Sequence, residues 1–147
     1  MEQDKSKASS EAKCPECGGA RVDGMTCWEQ LGAIGAWEFQ DPELYAEHFL
    51  TVASYNLQHP AQFTEEALAD LRAGLIERLD NGTSAKELRR RMGRAYEGKR
   101  RVLIDKADRK EVLRTWSMTI AEVYIPGKPH GAVERVRQWA ASIRKER

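Results

Sequence analysis

The chain has 147 residues, of which 41% are hydrophobic and 32% charged, and a formal net charge of +1. This length is enough for one domain whose hydrophobic core needs no disulfide bonds. No apolar run approaches the length of about 20 residues that crosses a bilayer, and the N-terminus lacks the apolar centre of a signal peptide. We therefore expect a cytoplasmic protein with no membrane partner.

The charge is unevenly distributed. Residues 1–85 contain 6 Lys/Arg and 15 Asp/Glu, a net of −9, whereas residues 86–114 contain 12 and 5, a net of +7. Residues 115–147 contain 6 and 3, a net of +3. The N-terminal part of the chain is therefore acidic and the C-terminal part basic. This uneven distribution of charge says more about possible partners than the total charge does.

Residues 1–12 are predicted to be a disordered N-terminal tail, and residues 13–147 a single helical domain. The tail is rich in Lys, Ser, Glu, Gln and Asp and has hardly any apolar side chain. Such a segment buries too little apolar surface to offset the entropy lost on ordering.

All three cysteines fall within the fourteen residues from Cys14 to Cys27. Cys14 and Cys17 have a spacing that lets one turn offer two sulfurs, and Gly18-Gly19 permits a tight reversal of the backbone. Cys27 follows at the expected start of a helix, where the helix dipole favours a thiolate. Structural zinc prefers four Cys or His ligands in a tetrahedron. We predict a zinc knuckle at residues 14–27, with one structural zinc per chain.

Two other interpretations of the cysteines stay open. They are buried free thiols, or they form a thiol–disulfide active site, because Cys-Pro-Glu-Cys has the spacing of one. The chain lacks the βαβ pattern that accompanies such redox sites.

The first two helices follow the knuckle. Thr26 and Glu29 fit a reciprocal capping box, which predicts that the first helix begins near Thr26. Asp41-Pro42 predicts the start of a second helix, with Asp as cap and Pro in the first helical position. This helix is expected to continue to about Gln58, because Pro60 restricts the residue before it.

A histidine is the natural fourth ligand, and the second helix offers His48 and His59. They are eleven residues apart, or about 16 Å along a continuous helix, so one zinc ion cannot bind both. A short connection implies that the first two helices are antiparallel. This arrangement brings His59 level with Cys27, so we favour His59 and keep His48 as the alternative.

The same helix carries a polar stripe of Tyr45, His48 and Tyr55. These side chains line a small-molecule pocket with His48 as a proton carrier, or they are partly buried residues that form hydrogen bonds within a helical bundle. The second interpretation is favoured, and the pocket is kept as the alternative.

Further helices are predicted over residues 65–79, 85–96, 110–124 and 131–145, each from apolar residues at helical spacing or from capping residues. Arg100 to Ile104 is a loop or a short strand. The fold class is therefore all-α: a compact helical domain of five or six helices with an N-terminal zinc knuckle.

The segment 86–101 is strongly basic. Such a run attracts phosphate backbones or acidic protein surfaces, or it packs on the acidic front half of its own chain. Few aromatic residues lie nearby, so base stacking is poorly supported. The candidate nucleic-acid contacts are Arg89, Arg90, Arg91, Arg94, Lys99, Arg100 and Arg101.

The chain resembles an uncharacterised bacterial family of small proteins. The shared pattern is Cys-Pro-x-Cys-Gly at residues 14–18, a third cysteine at Cys27, and a helix that ends in Gln-His-Pro at residues 58–60. The resemblance is weaker at residues 116–120 and 136–140. It supports the fold and the metal site but implies no activity, and its pattern contains both His48 and His59.

Together these observations predict a small zinc-stabilised cytoplasmic protein of interaction or regulatory type, whose protein partner is unknown. One alternative is nucleic-acid binding through residues 86–101. Another is an enzyme with a pocket around Tyr45, His48 and Tyr55.

Overall fold

A computed structural model describes residues 12–95 and 102–146, except for the side chains of 93–95. The predicted disordered tail therefore lies, apart from residue 12, outside the described residues. Within these ranges the chain forms seven α-helices and no β-strand, which confirms the all-α fold class. The helices are α1 Cys27–Glu38, α2 Pro42–Ala46, α3 His48–Gln58, α4 Glu65–Asn81, α5 Ala85–Ala95, α6 Ile120–Val123 and α7 Ala132–Lys145, with 3₁₀ turns at Pro60–Gln62 and Lys106–Asp108.

The predicted starts of the first two helices are confirmed. Thr26 and Glu29 form both hydrogen bonds of the capping box before α1. The Asp41 carboxylate accepts hydrogen bonds from the backbone N–H groups of Glu43 and Leu44, and Pro42 is the first residue of α2. Local capping chemistry therefore decides where both helices begin.

The prediction of one continuous helix over residues 42–58 is wrong, because Glu47 separates α2 from α3. Glu47 is non-helical, with φ −101° and ψ 17°, and its carboxylate is buried. One carboxylate oxygen accepts from Arg78 Nε of α4 and the other from Arg137 Nε of α7, both at 2.9 Å. A buried carboxylate requires such partners, and they hold the break against two other helices.

The predicted helix over residues 110–124 is also wrong, since only Ile120–Val123 is helical. Thr119 and Glu122 form a capping box that starts α6. We call residues 109–118 the crossing segment. Its Val112 and Leu113 side chains are 72% and 58% exposed, so they do not form the expected core face.

Tertiary hydrogen bonds hold the crossing segment extended. The backbone N–H of Arg114 donates to the carbonyl of Glu16 at 2.9 Å. The Arg114 guanidinium donates to the carbonyl of Glu146 at 2.6 Å, and the backbone N–H of Ser117 donates to the Glu146 carboxylate at 3.1 Å. The sequence leaves Arg100 to Ile104 open between a loop and a short strand. Of these the structure describes residues 102–104, where Leu103 forms an isolated antiparallel bridge with Phe63.

The core lies where α3, α4 and α7 pack against one another. Trp139 of α7 is fully buried there. Its indole N–H donates to Gln58 Oε1 at 3.1 Å, and Gln58 Nε2 donates to the carbonyl of Met118 at 2.8 Å. Gln58 is the last residue of α3, so this pair fixes the end of the helix that precedes His59.

Helix α1 runs antiparallel to α3. At one end the rings of Trp28 and Tyr55 lie 6.1 Å apart. At the other end Glu38 contacts His48. The start of α1, with Cys27, is therefore beside the end of α3. No helix in the described part of the chain is both long and apolar enough to span a membrane.

Candidate metal centre

Four potential metal ligands converge at the start of α1. The ligand atoms of Cys14, Cys17, Cys27 and His59 all lie within 4.8 Å of one another, close enough to bind one metal ion. The sulfurs of Cys17 and Cys27 are 3.6 Å apart. Two thiolates about 2.3 Å from a tetrahedral metal are separated by about 3.8 Å. The observed separation therefore fits a shared ion and is far too long for a disulfide bond.

The knuckle (residues 14–27) shapes its first two cysteines through a tight turn. Gly18 N donates to the carbonyl of Cys14 and Cys14 N donates to that of Gly19, both at 2.9 Å. Gly18 has φ +73°, a left-handed conformation that favours glycine. Gly19 N donates to the Cys17 sulfur at 3.3 Å, and Glu16 N to the Cys14 sulfur at 3.5 Å. Backbone N–H groups aimed at sulfur stabilise the thiolate form, which is the form that binds metal.

The rest of the knuckle is fastened to α1 by Gln30. Its Nε2 donates to the carbonyls of Ala20 and Met25, both at 3.1 Å. Gln30 is fully buried, and Cys27 is the first residue of the same helix. The loop between Cys17 and Cys27 is therefore held at the same helix end that carries the third sulfur.

His59 meets the cysteines because α3 ends there. Its Nδ1 lies 2.7 Å from the carbonyl of Tyr55, so Nδ1 carries the proton and donates it to that carbonyl. In the neutral imidazole, which is the form that binds metal, Nε2 is then an acceptor. It is buried and has no hydrogen-bond partner in the part of the chain that the structure describes. Metal-binding histidines commonly show this arrangement, with one nitrogen held by a carbonyl and the other free for the ion.

Without a metal ion, the neighbouring sulfurs favour the protonated form of His59, and an ion would take the place of that proton. Burial alone would lower the pKa of His59, but the sulfurs of Cys14 and Cys17 raise it to about 10. Hydrogen bonds from Cys17 and Cys27 lower the pKa of Cys14 well below its usual range, whereas hydrogen bonds to Cys14 and Cys17 raise the pKa of Cys27. The cluster by itself therefore cannot hold three thiolates, because they repel one another. A bound dication would supply the missing positive charge.

Tyr55 lies at this cluster and not with the other residues of its predicted stripe. Its ring is buried and stacks on the imidazole of His59, with centroids 4.1 Å apart. Burial, followed by the charge of Cys27, raises its pKa, so the phenol stays neutral. Tyr55 thus covers one face of the His59 ring.

His48 is placed away from the cysteines. Its Nδ1 lies 2.9 Å and 3.1 Å from the two carboxylate oxygens of Glu38. The ring is stacked on Tyr45, with centroids 6.1 Å apart. Of the two histidines that the sequence offered as fourth ligand, the structure brings only His59 to the cysteines.

The basic segment is described only in part. Arg90 and Arg91 both pair with Glu87, and Arg91 also lies 3.6 Å from Glu77 of α4. Arg89 is exposed. Lys99, Arg100 and Arg101 lie outside the described residues, and so does the side chain of Arg94.

Sequence reasoning missed the side chains that hold the site in place. Besides Gln58 and Gln30, these include Glu16, whose carboxylate accepts a hydrogen bond from Ala61 N at 3.0 Å. This bond joins the knuckle to the turn after His59. The only indication in the sequence was where these residues stand: Glu16 lies inside the Cys-Pro-Glu-Cys turn, and Gln58 precedes His59 in Gln-His-Pro.

The geometry defines a class of protein: an all-helical chain with a Cys₃His cluster that joins its N-terminal loop to the end of a core helix. The chain belongs to a family of unknown function, DUF5946, which it matches over residues 12–147. This range contains all four residues of the cluster. No match was found among curated proteins or among solved structures.

Proposed function

We propose that Cys14, Cys17, Cys27 and His59 bind one zinc ion, and that this ion stabilises a cytoplasmic protein of interaction or regulatory type. The observation that carries the proposal is the convergence of three sulfurs on the partnerless Nε2 of His59. Three thiolates and one imidazole are a ligand set typical of structural zinc. Soft sulfur ligands also disfavour magnesium and calcium, which prefer oxygen.

The role of the metal is structural in this proposal. Four protein ligands complete a tetrahedron and leave no position for a water molecule or a substrate, which catalytic zinc requires. Zinc would join residues 14–27 to the end of α3. Because α3, α4 and α7 also pack on one another, we expect those helices to persist without the ion while the knuckle opens.

An interaction role is supported by the exposed apolar side chains of the described surface. Trp28 is 68% exposed and Phe39 93%, both on α1 or directly after it, and Val112 is 72% exposed. Phe39 lines one cleft together with Tyr45, which is 62% exposed, and exposed apolar side chains that lie together on a surface are typical of contacts with partners. The partner we propose is another protein.

Nucleic-acid binding through residues 86–101 is the second candidate. The ion pairs of Arg90 and Arg91 with Glu87 and Glu77 reduce the positive charge that α5 offers, so this candidate is less favoured. It predicts a gel shift that weakens steeply with salt. Absence of any shift at about 50 mM salt would eliminate it.

Elemental analysis tests the metal proposal. Protein purified without chelators is expected to contain one zinc per chain. His59→Ala should lower the zinc content, while His48→Ala, the matched control, should leave it unchanged. Cobalt substitution should give the intense visible bands of a tetrahedral thiolate site in wild type and weaker bands in His59→Ala. Fully folded metal-free protein, or zinc loss from His48→Ala alone, would contradict the proposal.

A further inference from the structure

A second candidate site lies at the opposite end of α1 from the metal cluster. A cleft of about 470 Å³ is formed between α1 and the region where α2 gives way to α3. It is lined by the small residues Gly32, Gly35 and Ala36, which we call its floor, by the rings of Phe39 and Tyr45, which we call its walls, and by Glu38 and His48, which we call its polar end. The volume falls within the range of small-molecule sites, about 300–1,000 Å³.

The floor of the cleft is open helix backbone. A Cβ atom on Gly32 or Gly35 would meet nothing within 4 Å, so packing within the chain does not require glycine at either position. Glycine inside a helix costs about 1 kcal/mol relative to alanine. What the two glycines provide is a flat surface that lets another molecule approach the backbone closely.

The walls are aromatic and exposed. Phe39 is 93% and Tyr45 62% exposed, although both are large rings. Rings in such positions favour flat aromatic partners, which they contact by stacked or edge-to-face packing. The floor and walls therefore match a small planar ring.

The polar end offers one oriented hydrogen-bond acceptor. The Glu38 side chain is only 7% exposed, and both of its oxygens face His48 Nδ1. A buried carboxylate needs a donor, so the Nδ1 proton of His48 is held by Glu38. In the neutral imidazole, Nε2 of this half-exposed ring is then the acceptor for a ligand. The same carboxylate disfavours an anionic ligand.

We propose that this cleft binds a small neutral aromatic molecule that carries a hydroxyl group, with the ring over Gly32 and Gly35 and the hydroxyl donating to His48 Nε2. The site is independent of the metal cluster. Cys27 and Glu38 are the first and last residues of α1, which places them about 16 Å apart.

Titration of the zinc-loaded full chain with phenol, followed by NMR, tests the proposal. Phenol should shift the His48 ring and the Gly32 and Gly35 amides, and benzene should bind about tenfold more weakly because it cannot donate the hydrogen bond. His48→Phe should weaken phenol binding to the level of benzene. Gly35→Leu, which fills the floor and suits a helix, should abolish binding of both.

His130→Phe is the control, since His130 is an exposed histidine in a loop, and it should change neither affinity. The zinc content of every variant should match wild type. Equal binding of phenol and benzene, shifts that map outside the cleft, full binding by Gly35→Leu, or no phenol binding at millimolar concentration would each overturn the proposal.

Discussion

Replacing Gln58 by leucine should destabilise the core without removing a metal ligand. Gln58 is 1% exposed and Trp139 fully buried. The substitution leaves the Trp139 indole N–H and the Met118 carbonyl without the bonds of 3.1 Å and 2.8 Å that they now make. Each of these two buried groups costs about 1–3 kcal/mol without its partner, about 4 kcal/mol together at the middle of that range, and burial of the leucine side chain offsets about 1–2 kcal/mol. We expect the free energy of unfolding to fall by about 2–3 kcal/mol.

Urea denaturation of the zinc-loaded protein, followed by far-UV circular dichroism, measures this loss. The m-value should not change, because the surface exposed on unfolding stays the same. The exposed Gln40 supplies the control: Gln40→Leu should change stability by less than about 0.5 kcal/mol.

A double-mutant cycle sharpens the test. Trp139→Phe removes the same hydrogen bond from its other side, so the double variant should lose less stability than the sum of the two single variants. A loss below about 1 kcal/mol in Gln58→Leu, or strict additivity in the cycle, would refute the assigned hydrogen bond.

Three further predictions concern the knuckle and α1. Gly19→Ala should destabilise the protein by about 1–3 kcal/mol in urea denaturation, because its Cβ would lie 2.9 Å from Thr119 Oγ1; unchanged stability would contradict this contact. Gly32→Ala should instead stabilise the protein by about 0.5–1 kcal/mol in the same assay, since its Cβ would meet nothing within 4 Å; a loss of stability would show that the helix face is occupied. Removal of metal by a chelator should speed tryptic cleavage after the exposed Arg21, measured by mass spectrometry, and an unchanged rate would mean that no metal holds the loop.

The parts of the fold that could be predicted from the sequence are those decided by neighbours in the chain. Thr26 with Glu29, and Asp41 with Pro42, determine helix starts within a few residues, so a sequence pattern is sufficient. The spacing of the three cysteines within one short loop is equally local. These features were accessible without knowledge of the tertiary structure.

The two parts of the fold that were predicted wrongly are held by residues that are distant in sequence. The break at Glu47 is held by Arg78 and Arg137, and no local breaker such as proline marks it. The crossing segment has apolar residues at helical spacing. Its backbone, however, forms a hydrogen bond with Glu16, and its Arg114 side chain forms one with Glu146. Tertiary hydrogen bonds overrode the pattern in both places.

The candidate site could be predicted from the sequence only in part. The cysteines are visible as a motif, but the choice between His48 and His59 required an argument about how two helices pair. The antiparallel α1 and α3 place His59 with the sulfurs and His48 with Glu38. The helix break within residues 42–58 did not disturb this result, because α3 alone spans the distance between the two histidines.

The hydrogen bond from Arg114 N to the carbonyl of Glu16 gives the knuckle a reporter about a hundred residues away in sequence. An amide hydrogen exchanges with solvent only when its bond opens. If the metal holds Glu16 in place, exchange at Arg114 is slow in the loaded protein and fast after chelation, while the buried core amides of α7 remain protected. The exchange rate of the Arg114 amide would therefore report whether the metal is bound, although Arg114 is not a metal ligand.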